Sequence, residues 1–418
     1  MDTEKKIEIL GAAAKYDICA SSCARAPRPV GNDYIGNLSS SGICHSYTPD
    51  GRCVSLLKVL MTNSCQNNCK YCVNRVTNDF ERASFEAEEL ARLFIEMYRR
   101  NYVEGLFLSS GVKRNTNATM EEMIKVLEIV RLRYNYKGYI HLKILPKTSE
   151  NLVERGARLA TRLSINLEAP NPNRLKMIAE EKDFKSDLLD TMSLIQKQVD
   201  RGLVRAGHTT QFVVGAAGET DAELLKTTNW LYKHKSLKRA YFSAFIPVEN
   251  SLPPYSTQYT VNSTLSHAPF PSVPLLREHR LYQADWLLRF YNFNLSEIML
   301  DDEGNLILNI DPKLAFALKN KERFPLEINK ASYDDLLKIP GIGVTSARRI
   351  YRVRKEYKLK DIKELKNLGV VTKRAAPFIT VNGKLGARSQ TFLTAQQLEL
   401  FQTEKSGLAR RQVELLKA

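Results

Sequence analysis

The chain has 418 residues, a formal net charge of +16 and a hydrophobic fraction of 43%, which is ordinary for a globular protein of two or three domains. No apolar run approaches the ~18 residues of a membrane span, and the charged N-terminus lacks a signal-peptide core. We therefore expect a cytoplasmic protein without membrane association. Residues 321–418 carry 21 Lys and Arg against 10 Asp and Glu. This bias favours a polyanionic partner, nucleic acid before membrane, with a merely solubilising charge as the alternative.

The first 53 residues show no rhythm of strands and helices and form an N-terminal extension that is rich in cysteine. Residues 48–52, Thr-Pro-Asp-Gly-Arg, predict a chain reversal that brings Cys44 near Cys53. Together with Cys19 and Cys23, these residues form a candidate second metal site, for zinc or a second cluster. The alternative is that they are small buried thiols without a ligand role.

From residue 54 to residue 275, short apolar runs alternate with amphipathic helical patterns. Strands followed by helices, six times over, indicate a parallel sheet with right-handed crossovers. The predicted strands are 54–62, 105–112, 139–145, 162–169, 209–215 and 240–248. Ligands in such folds bind at the carboxyl ends of the strands, and the first of these ends leads directly into a cysteine cluster.

Cys65, Cys69 and Cys72 stand at the spacing C-x3-C-x2-C. Thiolates select zinc, copper or iron–sulfur clusters. A structural zinc site uses four protein ligands, and a [4Fe–4S] cluster usually has four cysteines. Because only three ligands stand together, one cluster iron would remain open to a ligand from outside the protein. The pattern favours an iron–sulfur cluster of this kind over zinc or a purely structural cluster.

This loop, with Tyr71 just before the last cysteine, resembles the radical S-adenosylmethionine (SAM) superfamily. The resemblance implies an α/β fold with a partial (β/α)6, TIM-like barrel, and a [4Fe–4S] cluster on the three cysteines. It implies that SAM chelates the open iron and is cleaved to a 5′-deoxyadenosyl radical, which takes hydrogen from a substrate. It also implies an electron donor such as flavodoxin or ferredoxin.

The resemblance places the cofactor against residues at the ends of several strands. Small residues at the end of the second strand stand where the family has a Gly-Gly-Glu-like motif, although the acid is missing here. Polar residues at the end of the fourth strand occupy the region that binds ribose and carboxylate. A glycine at the end of the fifth strand permits close approach to adenine. The candidate SAM-binding residues are Tyr71, Ser109, Ser110, Gly111, Asn166, Glu168 and Gly215.

A second motif lies at residues 324–383, where a helix at 332–338 runs through Pro-Gly-Ile-Gly into another helix. It resembles the helix-hairpin-helix module of DNA repair proteins. Glycines allow a phosphate to approach, and the first N–H groups of the second helix bind it. The candidate DNA-binding residues are Lys338, Gly341, Gly343, Arg348 and Arg349. A degenerate second pair is predicted around residues 369–370, and a hairpin used only for packing is the alternative.

The remaining segments connect or follow these two regions. Residues 276–323 are predicted to form connecting helices, in which Trp286 is expected in the core rather than as a base-stacking platform. Residues 384–418 form a basic tail. Nearly the whole chain resembles radical SAM proteins described as acting in DNA modification or repair, which implies duplex DNA as the partner and a flipped nucleotide as the substrate. The alternatives are an RNA-modifying radical SAM enzyme and a non-catalytic DNA-binding protein with a structural or redox cluster.

Overall fold

The structure is a computed structural model that describes residues 1–14, 42–47, 53–245 and 275–386. The chain divides into two compact units, Met1–Glu219 with Trp230–Val273 and Thr220–Asn229 with Pro274–Ala418. Cys19, Cys23, the side chain of Cys53 and the loop at 246–274 lie outside the described residues. Across the described ranges, no helix is long and apolar enough to cross a membrane.

The first unit contains one seven-stranded sheet whose spatial order follows the chain. Its strands are β1 (Ile43–Tyr47), β2 (Cys53–Leu60), β3 (Gly105–Ser109), β4 (Tyr139–Lys143), β5 (Arg162–Ser164), β6 (His208–Val214) and β7 (Leu237–Ala244). Its helices are α1 (Thr3–Ala13), α2 (Ala87–Arg99), α3 (Thr116–Glu128), α4 (Glu150–Leu159), α5 (Pro172–Ile178) and α6 (Asp190–Asp200). Helix α7 (Asp221–His234) contributes residues to both units.

Strands β2 to β7 are parallel, each pairing with the next, and curl into a half-barrel. The predicted partial barrel of six βα units is therefore confirmed. Strands β3 and β6 are buried along their whole length, as expected for parallel strands covered on both faces. The structure adds β1, which the sequence pattern did not predict. It pairs antiparallel with β2, so that Cys44 stands opposite Leu56 and Cys53 opposite Tyr47.

Several helices of the first unit begin at a residue whose side chain caps the helix. Asn115 and Asn171 accept hydrogen bonds from backbone N–H groups of α3 and α5, which satisfies donors left open by helix geometry. At the start of α7, Thr220 and Glu223 form a capping box, with each side chain bonded to the other's backbone N–H.

The second unit is mainly helical. Its helices are α8 (Leu275–Phe290), α9 (Pro312–Lys319), α10 (Tyr333–Lys338), α11 (Val344–Val353), α12 (Ile362–Asn367) and α13 (Thr372–Ala375). Three short strands, β8 (Leu326–Glu327), β9 (Ile379–Val381) and β10 (Lys384–Leu385), form a small sheet. Its core includes Leu336, Ile350 and Phe378, all fully buried.

Candidate functional site

The three cysteines lie on the loop that follows β2, at the carboxyl edge of the parallel sheet. Cys69 is buried, while Cys65 and Cys72 are partly exposed. The loop folds back through a bond from Cys72 N–H to the Cys69 carbonyl (3.0 Å), and Lys70 N–H donates to Ile178 O at the end of α5 (2.8 Å). These bonds hold the segment between the cysteines in a compact turn.

The end of β3 runs directly beside this loop. Gly111 N–H donates to Thr62 O (2.7 Å) and Gln66 N–H to Val112 O (2.8 Å). Val112 N–H points at the sulfur of Cys65, 3.4 Å away. Hydrogen bonds to sulfur are one means by which proteins tune a cluster. The segment that contains the candidates Ser109, Ser110 and Gly111 is thus placed against the cysteine loop.

Arg82, which the sequence analysis did not single out, fastens the other side of the loop. Its guanidinium donates four hydrogen bonds of 2.6 to 2.9 Å, all to backbone carbonyls. The acceptors are the carbonyl oxygens of Asn63, Asn74, Arg75 and Asn78. A single five-donor side chain thus crosslinks the two ends of the cysteine loop.

A second missed residue, Lys182, faces the cysteines from the segment after α5. Its ammonium donates to the hydroxyl of Tyr71 (3.1 Å) and lies 3.9 Å from a carboxylate oxygen of Glu168. Burial by itself would lower the pKa of Lys182, but the nearby cysteine sulfur atoms and Glu168 raise it overall. Lys182 is therefore a fixed positive charge beside the sulfur atoms.

The thiols of Cys69 and Cys72 have pKa values above that of free cysteine. Burial, reinforced by the neighbouring Cys69, raises the pKa of Cys72 to about 12. Burial also raises the pKa of Cys69, with Lys182 opposing it, and raises that of Tyr71. Without a metal, these thiols are therefore held in the neutral form. Iron binds thiolates, so loading the site with metal releases protons.

The other candidate cofactor residues lie at the ends of neighbouring strands of the same sheet. Asn166 and Glu168 are both buried, with 7% and 6% of their surface exposed. Glu168 adopts a left-handed backbone conformation with φ of 63°, which is strained for a residue with a side chain and occurs preferentially at functional sites. Gly215, at the end of β6, also has a positive φ, of 89°, which glycine adopts without strain.

Glu219 is a buried carboxylate that organises the turn after β6. It is 1% exposed, and it accepts hydrogen bonds from the N–H groups of Gly215 and Ala217. The sequence analysis did not single it out. The Glu219 side chain thus holds the Gly215 N–H and fixes the turn.

The residues of the cysteine loop fit a [4Fe–4S] cluster. They supply three soft thiol donors, a backbone N–H directed at one sulfur, and an adjacent fixed positive charge. Within the described parts of the chain, no three His, Cys, Asp or Glu side chains converge on a point where one metal ion could sit. A cluster binds each thiolate through a different iron, so its ligands need not converge. The second metal site stays a prediction, because Cys19 and Cys23 lie outside the described residues.

In the second unit, α10 and α11 form the predicted hairpin around Gly341 and Gly343. Gly341 has a φ of 83°, and a Cβ on it would lie 2.6 Å from the Val371 carbonyl oxygen. Gly343 is the N-cap of α11. The first N–H groups of a helix have no acceptor within the helix and point out of its start, where a ligand can bind. The first of them after Gly343, that of Val344, donates to the Tyr291 hydroxyl oxygen.

Helices α12 and α13 form a second hairpin that packs reciprocally against the first. Val371 N–H donates to Gly341 O (2.9 Å), and the Ser346 hydroxyl donates to Gly369 O (2.8 Å). A Cβ on Gly369 would meet that same hydroxyl at 3.2 Å. Each glycine turn therefore rests on the second helix of the other hairpin.

The charged candidates of this unit occupy two different environments. Arg348 and Arg349 are exposed on α11. Lys338 is buried: its ammonium pairs with Glu297 at 2.5 Å, donates to Asn292 O, and lies 3.7 Å from the centre of the Phe293 ring. The Lys338 ammonium is thus bound within the unit and is not presented to a ligand, unlike Arg348 and Arg349.

Comparison with known proteins assigns families to both regions. Residues 59–231 match the radical SAM superfamily, and residues 323–377 match the helix-hairpin-helix motif. The chain is similar to the threonylcarbamoyladenosine tRNA methylthiotransferase MtaB of Thermotoga maritima, with 25% identity over 206 residues. That match covers 47% of this chain and 45% of the relative, so the chain spans less than half of that protein.

Solved structures similar to this chain include a radical SAM methyltransferase from Sphaerobacter thermophilus. The TM-score is 0.40 with 14% identity, over 59% of this chain and 71% of the other. Another is the FeFe-hydrogenase maturase HydG from Carboxydothermus hydrogenoformans, with a TM-score of 0.37 and 18% identity, over 46% of this chain and 44% of the other.

Proposed function

We propose, from the premise that this chain belongs to the radical SAM superfamily, that it is an enzyme that modifies nucleic acid by radical chemistry. The observation that carries the proposal is that one chain holds both a three-thiol loop at the carboxyl edge of a parallel sheet and a paired helical hairpin with an exposed basic helix. The first supplies a site for radical initiation. The second supplies a surface for a phosphate backbone.

Cys65, Cys69 and Cys72 would hold a [4Fe–4S] cluster. Reduced by a donor of the flavodoxin or ferredoxin type, such a cluster would supply the one electron that cleaves SAM into methionine and the 5′-deoxyadenosyl radical. The chain's own residues hold and tune this site. Lys182 offsets the negative charge of the thiolates, and Val112 N–H supports the sulfur of Cys65.

The SAM molecule would lie against the strand ends beside the cysteine loop. Gly111 permits a close backbone approach, and Glu168 offers a carboxylate whose position is fixed by Lys182 and by its left-handed backbone. Tyr71, Ser109, Ser110, Asn166 and Gly215 complete the proposed contact set. Asn166 and Glu168 are both buried polar side chains, so a polar ligand at this strand end would meet groups that can hydrogen-bond to it.

Duplex DNA is the first candidate substrate. Two hairpins whose turns pack reciprocally present two helix starts from one rigid unit, which suits contact with a regular phosphate backbone. Between residues 341 and 386, twelve Lys or Arg residues stand against three Asp or Glu. Such contacts position the nucleic acid but do not read its sequence.

RNA is the second candidate, and the similarity to a tRNA methylthiotransferase favours it. Because phosphate contacts do not discriminate strongly between DNA and RNA, the hairpin unit is compatible with either. The two candidates differ in which polymer stimulates SAM cleavage.

The test is anaerobic. The full chain is reconstituted with iron and sulfide, reduced with dithionite and mixed with SAM, and 5′-deoxyadenosine is measured alone, with duplex DNA and with structured RNA. We expect 5′-deoxyadenosine formation that is lost in Cys69→Ala and is stimulated by one of the two polymers. Stimulation by RNA only would reject the first candidate. An intact, reducible cluster that yields no 5′-deoxyadenosine under any condition would favour a structural or redox role instead.

A further inference from the structure

One face of helix α8 exposes aromatic side chains beside the first hairpin turn. His279, Tyr282, Trp286 and Phe290 recur at intervals of three and four residues, so they share a helix face. Trp286 and Phe290 are 47% and 45% exposed. The expectation that Trp286 lies in the core is therefore wrong. A tryptophan and a phenylalanine exposed side by side form an apolar patch of the kind that marks binding sites.

These rings are held in place by a buried charge. Asp285 is fully buried, and its carboxylate accepts two hydrogen bonds from Arg289, at 2.9 and 2.5 Å. The Arg289 guanidinium then lies 5.6 Å from the centre of the Trp286 ring and 4.6 Å from that of Phe290. The two rings are themselves 4.6 Å apart. The platform is thus fixed before any ligand arrives, which reduces the entropy lost on binding.

The same helix face borders a cavity of about 440 Å³, within the range of roughly 300–1,000 Å³ for sites that hold small molecules. The opposite side of the cavity is formed by Gly341, Ile342 and Gly343 of the hairpin turn. All lining residues belong to the second unit. The cavity therefore joins an aromatic platform to the turn that would contact a phosphate.

The polar groups of the cavity suit an anionic ligand with an aromatic part. Lys313 is buried, and its ammonium donates to Ile342 O at 2.5 Å and lies 4.6 Å from the centre of the Tyr291 ring. Arg374 lines the same cavity, in an ion pair with Asp311. Arg374 thus places a guanidinium near the turn, while burial lowers the pKa of Lys313, which serves there as a hydrogen-bond donor.

We propose that this cavity, which we call the base pocket, receives one unstacked nucleotide of the nucleic acid bound by the hairpins. Its base stacks against Trp286, and its phosphate lies at the Gly341–Gly343 turn. Bases stack on aromatic side chains independently of sequence. The base pocket thus adds recognition of an unpaired or displaced base to the backbone contacts of the hairpins. This inference rests on the proposed nucleic-acid function and adds that the preferred ligand is a nucleic acid with an unpaired or displaced base.

The experiment uses the full chain and three DNA duplexes of one sequence. One is fully paired, one has a single bulged 2-aminopurine, and one has a bulged abasic site at the same position. We expect the wild type to bind the bulged-base duplex most tightly and to change its 2-aminopurine fluorescence. Trp286→Ala should weaken binding of that duplex about tenfold, while binding of the abasic duplex should not change.

Trp286→Phe, which keeps an aromatic ring, should retain most of the preference. Trp230→Ala is the matched control, because Trp230 is also exposed, by 41%, but lies outside the second unit. Equal affinity of the wild type for all three duplexes would overturn the base pocket while leaving the proposed function intact. Absence of binding to every duplex, and to RNA of the same sequence, would overturn both. Loss of the base preference in Trp230→Ala would also contradict the assignment.

Discussion

Gly111 approaches Ser64 so closely that a Cβ on the glycine would lie 2.7 Å from the Ser64 carbonyl oxygen and 3.2 Å from the Cβ of Cys65. An alanine must therefore displace the loop that carries Cys65, at a cost of roughly 1–3 kcal/mol. We expect Gly111→Ala to bind less iron and sulfide after anaerobic reconstitution, measured per chain. Gly343→Ala is the control, since the nearest atom to a Cβ there is the Tyr291 hydroxyl at 3.6 Å. Wild-type loading of Gly111→Ala would show that the loop can shift without consequence.

Arg82 should matter to the cluster although it is not one of its ligands. Arg82→Lys keeps the charge but cannot reproduce four hydrogen bonds to carbonyls at both ends of the loop. Each bond to a charged group contributes about 1.5–3 kcal/mol, so the loop should open more readily. We expect faster loss of the cluster's absorbance on exposure to air. Arg92→Lys, on the exposed face of α2, should behave as the wild type, and an unaltered rate in Arg82→Lys would refute the positioning role.

Glu168 combines burial, a left-handed backbone and an ion-pair partner, Lys182. Glu168→Gln preserves the shape and removes the charge. We expect it to retain the cluster but to bind SAM about tenfold or more weakly, because a charge-assisted hydrogen bond is lost. Calorimetric titration of the reconstituted protein with SAM measures this. Glu180→Gln alters an exposed carboxylate that pairs with Lys70 of the cysteine loop, and it should bind SAM normally.

Much of the first unit could be predicted from the sequence, because parallel strands and amphipathic helices have different periods. The cysteine spacing located the site, and the rule for carboxyl ends of strands located the neighbouring segments. Strand β1 was missed because its five residues, Ile43–Tyr47, lie in a segment with no regular alternation of apolar and polar residues. Arg82 was missed for another reason. Its partners are backbone carbonyls, which every residue has, so no sequence pattern points to it.

The second unit shows where local pattern and tertiary structure diverge. The Pro-Gly-Ile-Gly turn predicts the hairpin, because only glycine fits the close contact at Gly341. A lysine is usually exposed and a tryptophan usually buried, but the structure shows the reverse for Lys338 and Trp286. Lys338 is buried in an ion pair, while Trp286 lies at the surface. Both outcomes depend on packing between distant segments, which hydrophobicity along the chain does not report.

His208 should make the stability of the protein depend on pH. It is fully buried in β6, and its Nε2–H donates to Lys235 O at 2.6 Å. Within the described part of the chain, Nδ1 has no hydrogen-bond partner. Burial lowers the pKa of His208, so the unfolded chain takes up this proton first as the pH falls.

The contribution of His208 is therefore fully present above the unfolded pKa of about 6.5 and is lost as the pH falls towards the lower folded value. We expect His208→Gln, whose amide can still donate to Lys235 O, to lose less free energy of unfolding between about pH 7 and 5 than the wild type. Denaturant titrations across that range measure the difference. His234→Gln, at an exposed position of α7, serves as the control. Identical pH profiles for His208→Gln and the wild type would contradict the assignment.

The exposed arginines and the buried Lys338 of the hairpin unit should differ in how they affect the salt dependence of nucleic-acid binding. Arg348 and Arg349 are exposed, so replacing both by alanine should weaken nucleic-acid binding and reduce the slope of log affinity against log salt by about two. Lys338→Met should leave that slope unchanged, because the Lys338 ammonium is already paired with Glu297. It should instead lower the free energy of unfolding, since removing one partner of a buried ion pair leaves the other uncompensated.

Fluorescence anisotropy with a labelled duplex at several salt concentrations gives the slopes, and thermal melting monitors stability. A slope reduced in Lys338→Met as in the arginine variant would mean that Lys338 leaves Glu297 to meet the phosphate.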